Sequence, residues 1–436
     1  MGTKECKNRG VSKSTPLRGD VERRCCSAPV TRQIGDAGFC NWSSISNGDG
    51  RSDVGVEYGA ERILVDERVG GNQMGRPYKK KRDREAVRRI FRESGWIEDT
   101  KEELAELDRI LDRSSVRVAD VDGDAECAVT TVPGDYRHGQ ETLPYSIVAS
   151  VNTGRIGRKR GLATRVLAES LAESKRAGAA AAGLGFFEQG FYDRLGFGTT
   201  CYERHIRFDP ANLSPDLPSP EPIRLGLDDY REIHDHLRSR LRQHGSVNAG
   251  PAEFTRFAMF EARNGFALGI REGGKLVSHV FLSSEDVESG PYTVVWCAWS
   301  DWKWIPATFG ILRNLADQVQ LLEMREPAYL QMQDFLLRPL RSQELSGGSK
   351  REQRVVATAY HQMRILDLPT AISTVALPVG EVEFDLSLSD PIESMLGDAD
   401  GWRGCGGSIR FASDRIRAAQ GVFRAPRLSC EPTSEP

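Results

Sequence analysis

Between residues 143 and 187 the sequence predicts a strand, a basic loop, a helix and a second strand, in that order. This order constrains the fold more than any other feature of the sequence. LPYSIVASV (143–151) is apolar and prone to β structure. RKRGLATRVLAESLAESKRAG (158–178) contains a helix closed by a glycine, and AAAAGLGFF (179–187) is apolar on both faces, as a buried central strand is. We therefore expect α and β layers packed on each other.

The loop before this helix concentrates positive charge where a helix least tolerates it. The first turn of a helix has unpaired N–H groups and the positive end of the dipole, so added cations repel it unless an anion lies between them. Glycine allows a diphosphate to approach the backbone closely. The predicted cradle follows the pattern Arg158-x-x-Gly161-x-Ala163 and comprises Arg158, Lys159, Arg160, Gly161, Leu162 and Ala163. A solvated basic loop is the alternative, and neither a G-x-G-x-x-G fingerprint nor a Walker lysine loop is present.

Composition restricts the class of protein. The chain has 436 residues, a net charge of −3 and 28% charged residues, so no global field attracts nucleic acid or membrane. Nine cysteines lack the paired spacing of a metal site, and the seven histidines form no ligand pattern with them, so we expect no metal and a reducing, cytoplasmic setting. No apolar run reaches membrane-spanning length, and no secretory signal is expected.

The amino-terminal part, residues 1–82, is rich in Gly, Ser, Arg and Asp and is expected to be largely disordered. It ends in the basic run 79–82, which could contact nucleic acid but is more simply explained as a solvated charge cluster. From Asp83 the pattern predicts two helices, DREAVRRIFRESG and KEELAELDRILDR, and then a β-hairpin turning at Asp122-Gly123. A short helix, QGFYDRLG, and a last strand from Cys201 to Phe208 follow the central strand.

The order of elements repeats after a proline-rich stretch. ANLSPDLPSPEP (211–222) is predicted to be a semi-rigid linker. Two helices, a hairpin turning at 272–274, a strand, a helix and a strand follow, which indicates a structural duplication. A third, smaller unit begins near Arg354, with a strand, a short helix and an alternating strand in 381–392.

A second motif lies some thirty residues beyond the basic loop. EQGFYDRLGFG (188–198) is rich in aromatic residues and leads into the final strand. Together, Arg158–Ala163 and this segment resemble the GNAT acetyltransferases, whose coenzyme A motif R/Q-x-x-G-x-G/A is followed by a strand and an FY-x-x-x-GF segment. A second half and a small module opening with RILDLPTAI resemble the Eis-type (enhanced intracellular survival) branch.

The resemblance implies an α+β protein with tandem acetyltransferase folds, each a mixed central sheet flanked by helices, and a small sterol-carrier-protein-like module. It also implies acetyl-CoA as co-substrate, a small-molecule or peptide amine as acceptor, and homo-oligomers. The expected parts are an extension (1–82), a catalytic domain (83–210), a linker (211–222), a degenerate second domain (223–350), a sterol-carrier-like module (351–425) and a tail (426–436).

Acetyl transfer from a thioester to an amine needs an oxyanion donor, an acid for the departing sulfur and an acceptor for the amine proton. Backbone on the strand before the cradle can hold the pantetheine arm and face the carbonyl oxygen; the residues concerned are Ile147, Val148, Ala149 and Val151. Tyr192 lies just after the strand that would diverge, where a phenol could protonate sulfur, and the matching tyrosine is the acid in the Eis-type branch. Packing beside Phe191 is the alternative.

The base has several candidates. In the Eis-type branch the terminal carboxylate reaches the first site, but here the third module is short and ends at Pro436. Glu188 and Glu126 are further candidates, and a proton relayed through solvent is another possibility. A protein that only binds acyl-CoA or lipid on the same fold is the alternative function.

Three other features have simpler explanations. His279 is predicted to be a hydrogen-bonded strand histidine, and Trp299, Trp302 and Trp304 a packing or interface cluster. His234 and His236 are two apart on a helix and cannot face one another, so no metal site follows.

Overall fold

The computed structural model describes residues 75–185, 190–288, 290–340, 352–375, 383–397, 400–413 and 428–432. The helices described there are Lys80–Glu93 (α1), Lys101–Leu111 (α2), Leu162–Arg176 (α3), Tyr230–Ser239 (α4), Ala252–Glu261 (α5), Trp304–Arg313 (α6) and Leu368–Ser373 (α7). None of the helices in these ranges is long and apolar enough to cross a membrane.

The strands fall into three sheets. In chain order they are Arg76–Pro77 (β1), Ser115–Val121 (β2), Asp124–His138 (β3), Glu141–Thr153 (β4), Ala181–Gly185 (β5), Gly198–Thr199 (β6), Glu203–Phe208 (β7), Ile223–Leu225 (β8), Val247–Ala249 (β9), Phe266–Glu272 (β10), Lys275–Ser284 (β11), Tyr292–Trp299 (β12), Leu322–Arg325 (β13), Arg354–Thr358 (β14), His361–Ile365 (β15), Glu383–Leu388 (β16), Gly407–Ser413 (β17) and Leu428–Pro432 (β18). The protein is therefore a mixed α+β structure, as the sequence predicts.

The first sheet has the order β1-β2-β3-β4-β5-β15-β6, and β9 pairs with β3 outside this path. β4 and β5 run parallel and are joined by α3, whereas β2, β3 and β4 form an antiparallel meander. Leu167 and Leu171 of α3 pack with Val129 and Leu184 on one face, and α1 and α2 cover part of the other face. The predicted strand-loop-helix-strand unit is thus confirmed at the centre of this sheet.

Local sequence accounts for the predicted elements. Asp122 and Gly123 turn the β2–β3 hairpin with φ of 52° and 96°, values that glycine adopts freely and aspartate tolerates. Thr100 caps α2 by accepting a hydrogen bond from the Glu103 amide at 3.2 Å. The predicted helix in QGFYDRLG is a single 3-10 turn, Asp193–Leu195, because Gly196 adopts φ of 78° and ends it.

Among the described residues, regular structure already precedes Asp83, where the sequence predicted its start. β1 pairs with β2, and α1 starts at Lys80. The guanidinium of Arg76 bridges Asp83 at 2.7 Å and Asp120 at 2.6 Å, so charge pairing rather than apolar periodicity stabilises this edge. In the basic run, Lys80 pairs with Asp112 and Arg82 with Asp120. Residues 1–74 of the predicted extension lie outside the described residues.

The second sheet has the order β14-β7-β13-β12-β11-β10-β8. β10, β11 and β12 form an antiparallel meander, α6 follows, and β13 returns parallel to β12. This reproduces the succession of β2, β3, β4, α3 and β5. Its core contains Phe208, Val280, Trp299, Phe309 and Leu322.

The sheets exchange strands, which the boundaries drawn from the sequence did not anticipate. β7, predicted as the last strand of the first unit, pairs with β13 and β14 of the second sheet. β9 of the second half pairs with β3, and β15 of the third part lies between β5 and β6. The predicted boundary at residue 210 therefore does not separate the two sheets. The exchange arises from backbone hydrogen bonds between segments that are distant in the chain. Local sequence patterns do not encode such pairings.

Two further predictions differ from the structure. The proline-rich linker is not a free spacer, because Leu213 is buried in the second core and Ser214 N–H donates to the carbonyl of Phe335. The third part contributes β14 and β15 to the larger sheets, and β16, β17 and β18 alone form a three-stranded sheet. It is thus not a self-contained sheet over residues 351–425.

Candidate active site

β4 separates from β5 halfway along its length. Parallel pairing ends at Ile147 opposite Gly183, although β4 continues to Thr153. Opposite β3, Thr130 pairs with Ser150 and Thr131 with Val148, so Ala149 is an extra residue in a bulge. From Val148 onward the edge of β4 that faced β5 opens to other hydrogen-bonding partners. Ile147, Val148, Ala149 and Val151, the backbone segment predicted from sequence, lie along this edge.

The basic loop follows directly. A 3-10 turn, Arg155–Gly157, leads to Lys159 with φ of 59° and to Gly161 with φ of 73°, which is the N-cap of α3. No side chain caps this helix start, so its first-turn N–H groups face outward. Arg158, Lys159 and Arg160 are exposed, and within the described residues none of them forms an ion pair.

Such an arrangement fits a diphosphate. When right-handed and left-handed backbone conformations alternate, consecutive N–H groups point into the same concavity and can bind an anion. The helix dipole adds positive potential there. Leu162 is buried below the loop and Ala163 is half-buried, so the helix start is anchored while its backbone remains accessible. A Cβ on Gly161 would meet nothing within 4 Å, so the glycine is needed for its φ and not for space.

Tyr192 packs on the hydrophobic core that the open edge of β4 and the start of α3 also contact. This core lies between α3 and the sheet, and its partly buried members include Val151 of the open edge and Ala163 of the cradle. Its ring contacts Phe191 edge-on at 4.9 Å and Phe197 at 6.0 Å. The structure therefore brings Tyr192, the open edge of β4 and the start of α3 to one region.

The third part of the chain fixes the loop that carries Tyr192. Gln362 Nε2 on β15 donates to Asp193 Oδ1 at 2.6 Å, and the Arg364 guanidinium donates to the carbonyl of Leu195. Arg364 also pairs with Asp390 at 2.7 Å, and both side chains are almost completely buried. Burial lowers the pKa of Arg364, and Asp390 opposes this effect. The sequence analysis missed these residues, since only strand pairing places β15 beside β5.

Of the proposed bases, Glu126 lies at the other end of the open edge. It is buried, pairs with Arg89 at 2.6 Å, and accepts a hydrogen bond from Gly154 N–H at 2.8 Å through its own carbonyl. Its carboxylate crosses the face of Gly154, where any side chain would collide with it. These contacts suit a residue that shapes the loop. Glu188 and Pro436 lie outside the described residues.

The corresponding junction of the second sheet differs. Residues 298–303 contain no glycine and none adopts a left-handed conformation in the described chain. Trp299 is buried, whereas Trp302 is 47% exposed and contacts Tyr329. Packing therefore explains Trp299, and the cradle is specific to the first sheet.

His279 is a hydrogen-bonded strand histidine, as the sequence predicts. His279 accepts from Trp296 Nε1 at 3.0 Å and lies 2.8 Å from His236, ring nitrogen to ring nitrogen. His234 instead contacts Thr255 and the carbonyl of Gly250. In the described residues, no group of three or more His, Cys, Asp or Glu side chains is arranged to hold a metal.

Comparison with known families decides what this region is. Residues 76–200 match the family model described as an acetyltransferase (GNAT) domain. Residues 76–200 are a GNAT acetyltransferase domain. Such domains use acetyl-CoA as co-substrate and act on small-molecule or peptide amines, so the protein is an acetyltransferase. None of the curated proteins matches the chain.

Solved structures agree on the fold. A probable N-acyltransferase from Enterococcus faecalis superposes with a TM-score of 0.64 at 15% identity, covering 83% of this chain and 85% of its own. A GCN5-related N-acetyltransferase from Kribbella flavida gives 0.59 at 14% identity, covering 84% and 86%. Eis1 from Mycobacterium abscessus gives 0.58 at 15% identity, covering 80% and 85%. The acetyltransferase fold thus extends well beyond the matched domain.

Proposed function

We propose that the protein transfers the acetyl group of acetyl-CoA to a primary amine by direct attack on the thioester. The observation that carries this is the opening of β4 beyond Ile147, with a bulge at Ala149 and an uncapped helix start a few residues later. The open edge of β4 suits an acyl group, and the uncapped start of α3 suits a diphosphate. A protein that only bound coenzyme A, without transferring its acetyl group, would not need a proton donor such as Tyr192 on this core.

In this proposal each residue has a separate role. Backbone N–H groups from Ile147 to Val151 hold the pantetheine arm and face the thioester oxygen. The cradle, Arg158 to Ala163, binds the diphosphate through N–H groups and guanidinium charges. The Tyr192 hydroxyl protonates the departing sulfur. A thiol is a fair leaving group, so protonation by a single tyrosine is sufficient assistance.

We assign the other parts by the same resemblance. The second sheet is a degenerate acetyltransferase-like fold, because its junction lacks the cradle. The carboxyl-terminal part is sterol-carrier-like, and the protein works as a cytoplasmic homo-oligomer without nucleic acid or membrane. Sedimentation velocity over a range of concentrations tests the oligomer, and a purely monomeric boundary contradicts it.

The test of activity is release of free thiol from acetyl-CoA, with mass spectrometry of the products from a library of primary amines. We expect thiol release that depends on the amine, and a drop of about 10²-fold or more for Tyr192→Phe. Tyr202→Phe, at a tyrosine that is 71% exposed, is the control and should keep wild-type activity. Saturable coenzyme A binding without turnover indicates a binding protein, and full activity of Tyr192→Phe at both low and high pH removes the acid assignment.

A further inference from the structure

β15 delivers two polar side chains to the face of the first sheet on which Tyr192 packs. Gln362 and Arg364 are the register partners of Leu184 and Ala182 on β5, and both partners belong to the core under α3. Directly paired residues of neighbouring strands point to the same face of a sheet, so Gln362 and Arg364 also point to the α3 face. Tyr192 packs against this same core, so the third part of the chain reaches its surroundings.

The two side chains hold both ends of one short turn. At its start, Gln362 Nε2 donates to Asp193 Oδ1 at 2.6 Å. At its end, the Arg364 guanidinium donates to the carbonyl of Leu195. Tyr192 is the N-cap of this 3-10 turn, and its carbonyl accepts a hydrogen bond from the Leu195 amide at 2.9 Å. The backbone of Tyr192 is therefore fixed by a turn that β15 holds.

Packing does not explain a glutamine at this position of β15. Gln362 is 2% exposed, and its other amide atom, Oε1, has no hydrogen-bond partner among the described residues. A buried amide oxygen without a partner lowers stability, whereas the exposed Asp193 can bind water when the glutamine is replaced. An apolar side chain of the same length would therefore suit the core at least as well. What the glutamine adds is the bond from Nε2 to Asp193.

We propose that Gln362 is a positioning residue for the acid Tyr192, so that the third part of the chain supports acetyl transfer in the first sheet. This rests on the proposed function, in which the Tyr192 hydroxyl protonates the departing sulfur. The ring of Tyr192 contacts Phe191 at 4.9 Å and Phe197 at 6.0 Å. Because Phe197 follows the turn that Gln362 holds, release of the turn changes the setting of the ring as well as the backbone. A displacement of about 1 Å at a catalytic group can reduce a rate by about 10²-fold.

The decisive variant is Gln362→Met, which keeps the length of the side chain and removes the donor. We expect kcat/KM for acetyl transfer to fall by roughly 10- to 10²-fold. Coenzyme A affinity, measured by isothermal titration, should be unchanged because the cradle belongs to the loop before α3. The midpoint of thermal unfolding should be unchanged or higher. A glutamine that mattered only for stability would show the reverse, a lower midpoint with a normal rate.

Met363→Leu is the matched control. Met363 is the next residue of β15, but it packs with Tyr145 in a separate cluster on the opposite face of the sheet. This variant should keep the wild-type rate. A rate as low as that of Gln362→Met would show that any change in β15 disturbs the enzyme, and it would contradict a specific role for Gln362.

A double-mutant cycle with Tyr192 separates positioning from general damage. In the Tyr192→Phe background there is no hydroxyl to place, so Gln362→Met should change the remaining rate by less than about twofold. The same loss in both backgrounds would contradict the inference. The wild-type kcat/KM should also fall at high pH as the Tyr192 phenol ionises, and Gln362→Met should flatten this limb of the profile.

Variants of Asp193 test the same bond from the exposed side. Asp193→Ala should match Gln362→Met, and Asp193→Asn, which keeps an acceptor oxygen, should recover most of the lost rate. Wild-type rates in both Gln362→Met and Asp193→Ala overturn the inference and leave the acetyltransferase proposal standing. Absence of thiol release by the wild-type protein with any amine overturns the proposed function itself.

Discussion

A buried histidine pair in the second sheet should make stability depend on pH. Trp296 Nε1 can only donate, so His279 Nε2 accepts, its Nδ1–H donates to His236 Nδ1, and His236 Nε2–H donates to Ser300. Both rings are neutral in this chain of bonds. Burial lowers the pKa of His236 from the usual 6.5 to about 4, and burial lowers that of His279 well below its usual value.

The direction and size follow from linkage. Because the folded-state pKa of His236 lies below the unfolded value, the unfolded chain binds more protons between about pH 4 and pH 6.5. Stability is therefore complete above pH 6.5 and is lost as the pH falls through this window. A difference of about 2.5 pH units corresponds to ~3.4 kcal/mol in full, and to about 2 kcal/mol at pH 5.

Urea unfolding followed by tryptophan fluorescence measures this, since Trp296 is part of the network. We expect the wild-type protein to be at least about 2 kcal/mol less stable at pH 5 than at pH 8, because His236 alone accounts for about 2 kcal/mol and His279 acts in the same direction. His236→Asn should show a clearly smaller difference, and His205→Asn, at a partly exposed histidine, should behave as wild type. Equal stability of the wild-type protein at the two pH values, or an undiminished loss in His236→Asn, would refute the argument.

Three further predictions concern the first sheet. Gly161→Ala should weaken coenzyme A binding or stability by about 1–2 kcal/mol, because its φ of 73° is left-handed, whereas Gly198→Ala, where a Cβ also meets nothing, should cost little by isothermal titration and thermal unfolding. Replacing Arg158, Lys159 and Arg160 by Ala should lower coenzyme A affinity and its dependence on salt; an unchanged salt dependence would remove these charges from the site. Arg364→Met should cost roughly 3–5 kcal/mol by leaving Asp390 buried without its partner, whereas Arg410→Met, which breaks an exposed pair with Asp385, should cost under about 1 kcal/mol in urea unfolding.

The candidate site could be proposed from the sequence where its residues are contiguous in the chain. The cradle lies within six residues, and the helix that follows has a clear apolar face, so local patterns suffice. The bulge at Ala149 was not predictable, because it depends on register against β3. The structure also shows the tie between Gln362 and Asp193, which joins positions 169 residues apart.

The domain boundaries were the weakest inference for the same reason. Periodicity identified β7 and β15 as strands, but a strand's own pattern does not state which edge it joins. β15 completes the first sheet and β7 the second, although chain order suggests the reverse. Backbone hydrogen bonds have the same chemistry in either sheet, so only the packing of whole faces selects the partner.

By itself the sequence determined the helix-start cradle, the strands on either side of it and the tyrosine segment, because short-range periodicity, glycine and charge encode them. The tertiary structure alone decided that β4 opens beyond Ile147 and that Tyr192 packs on the same hydrophobic core as Val151 of β4 and Ala163 of α3. These depend on strand register and on contacts between distant segments. Those arise only when long-range burial has offset the entropy of closing the intervening loops.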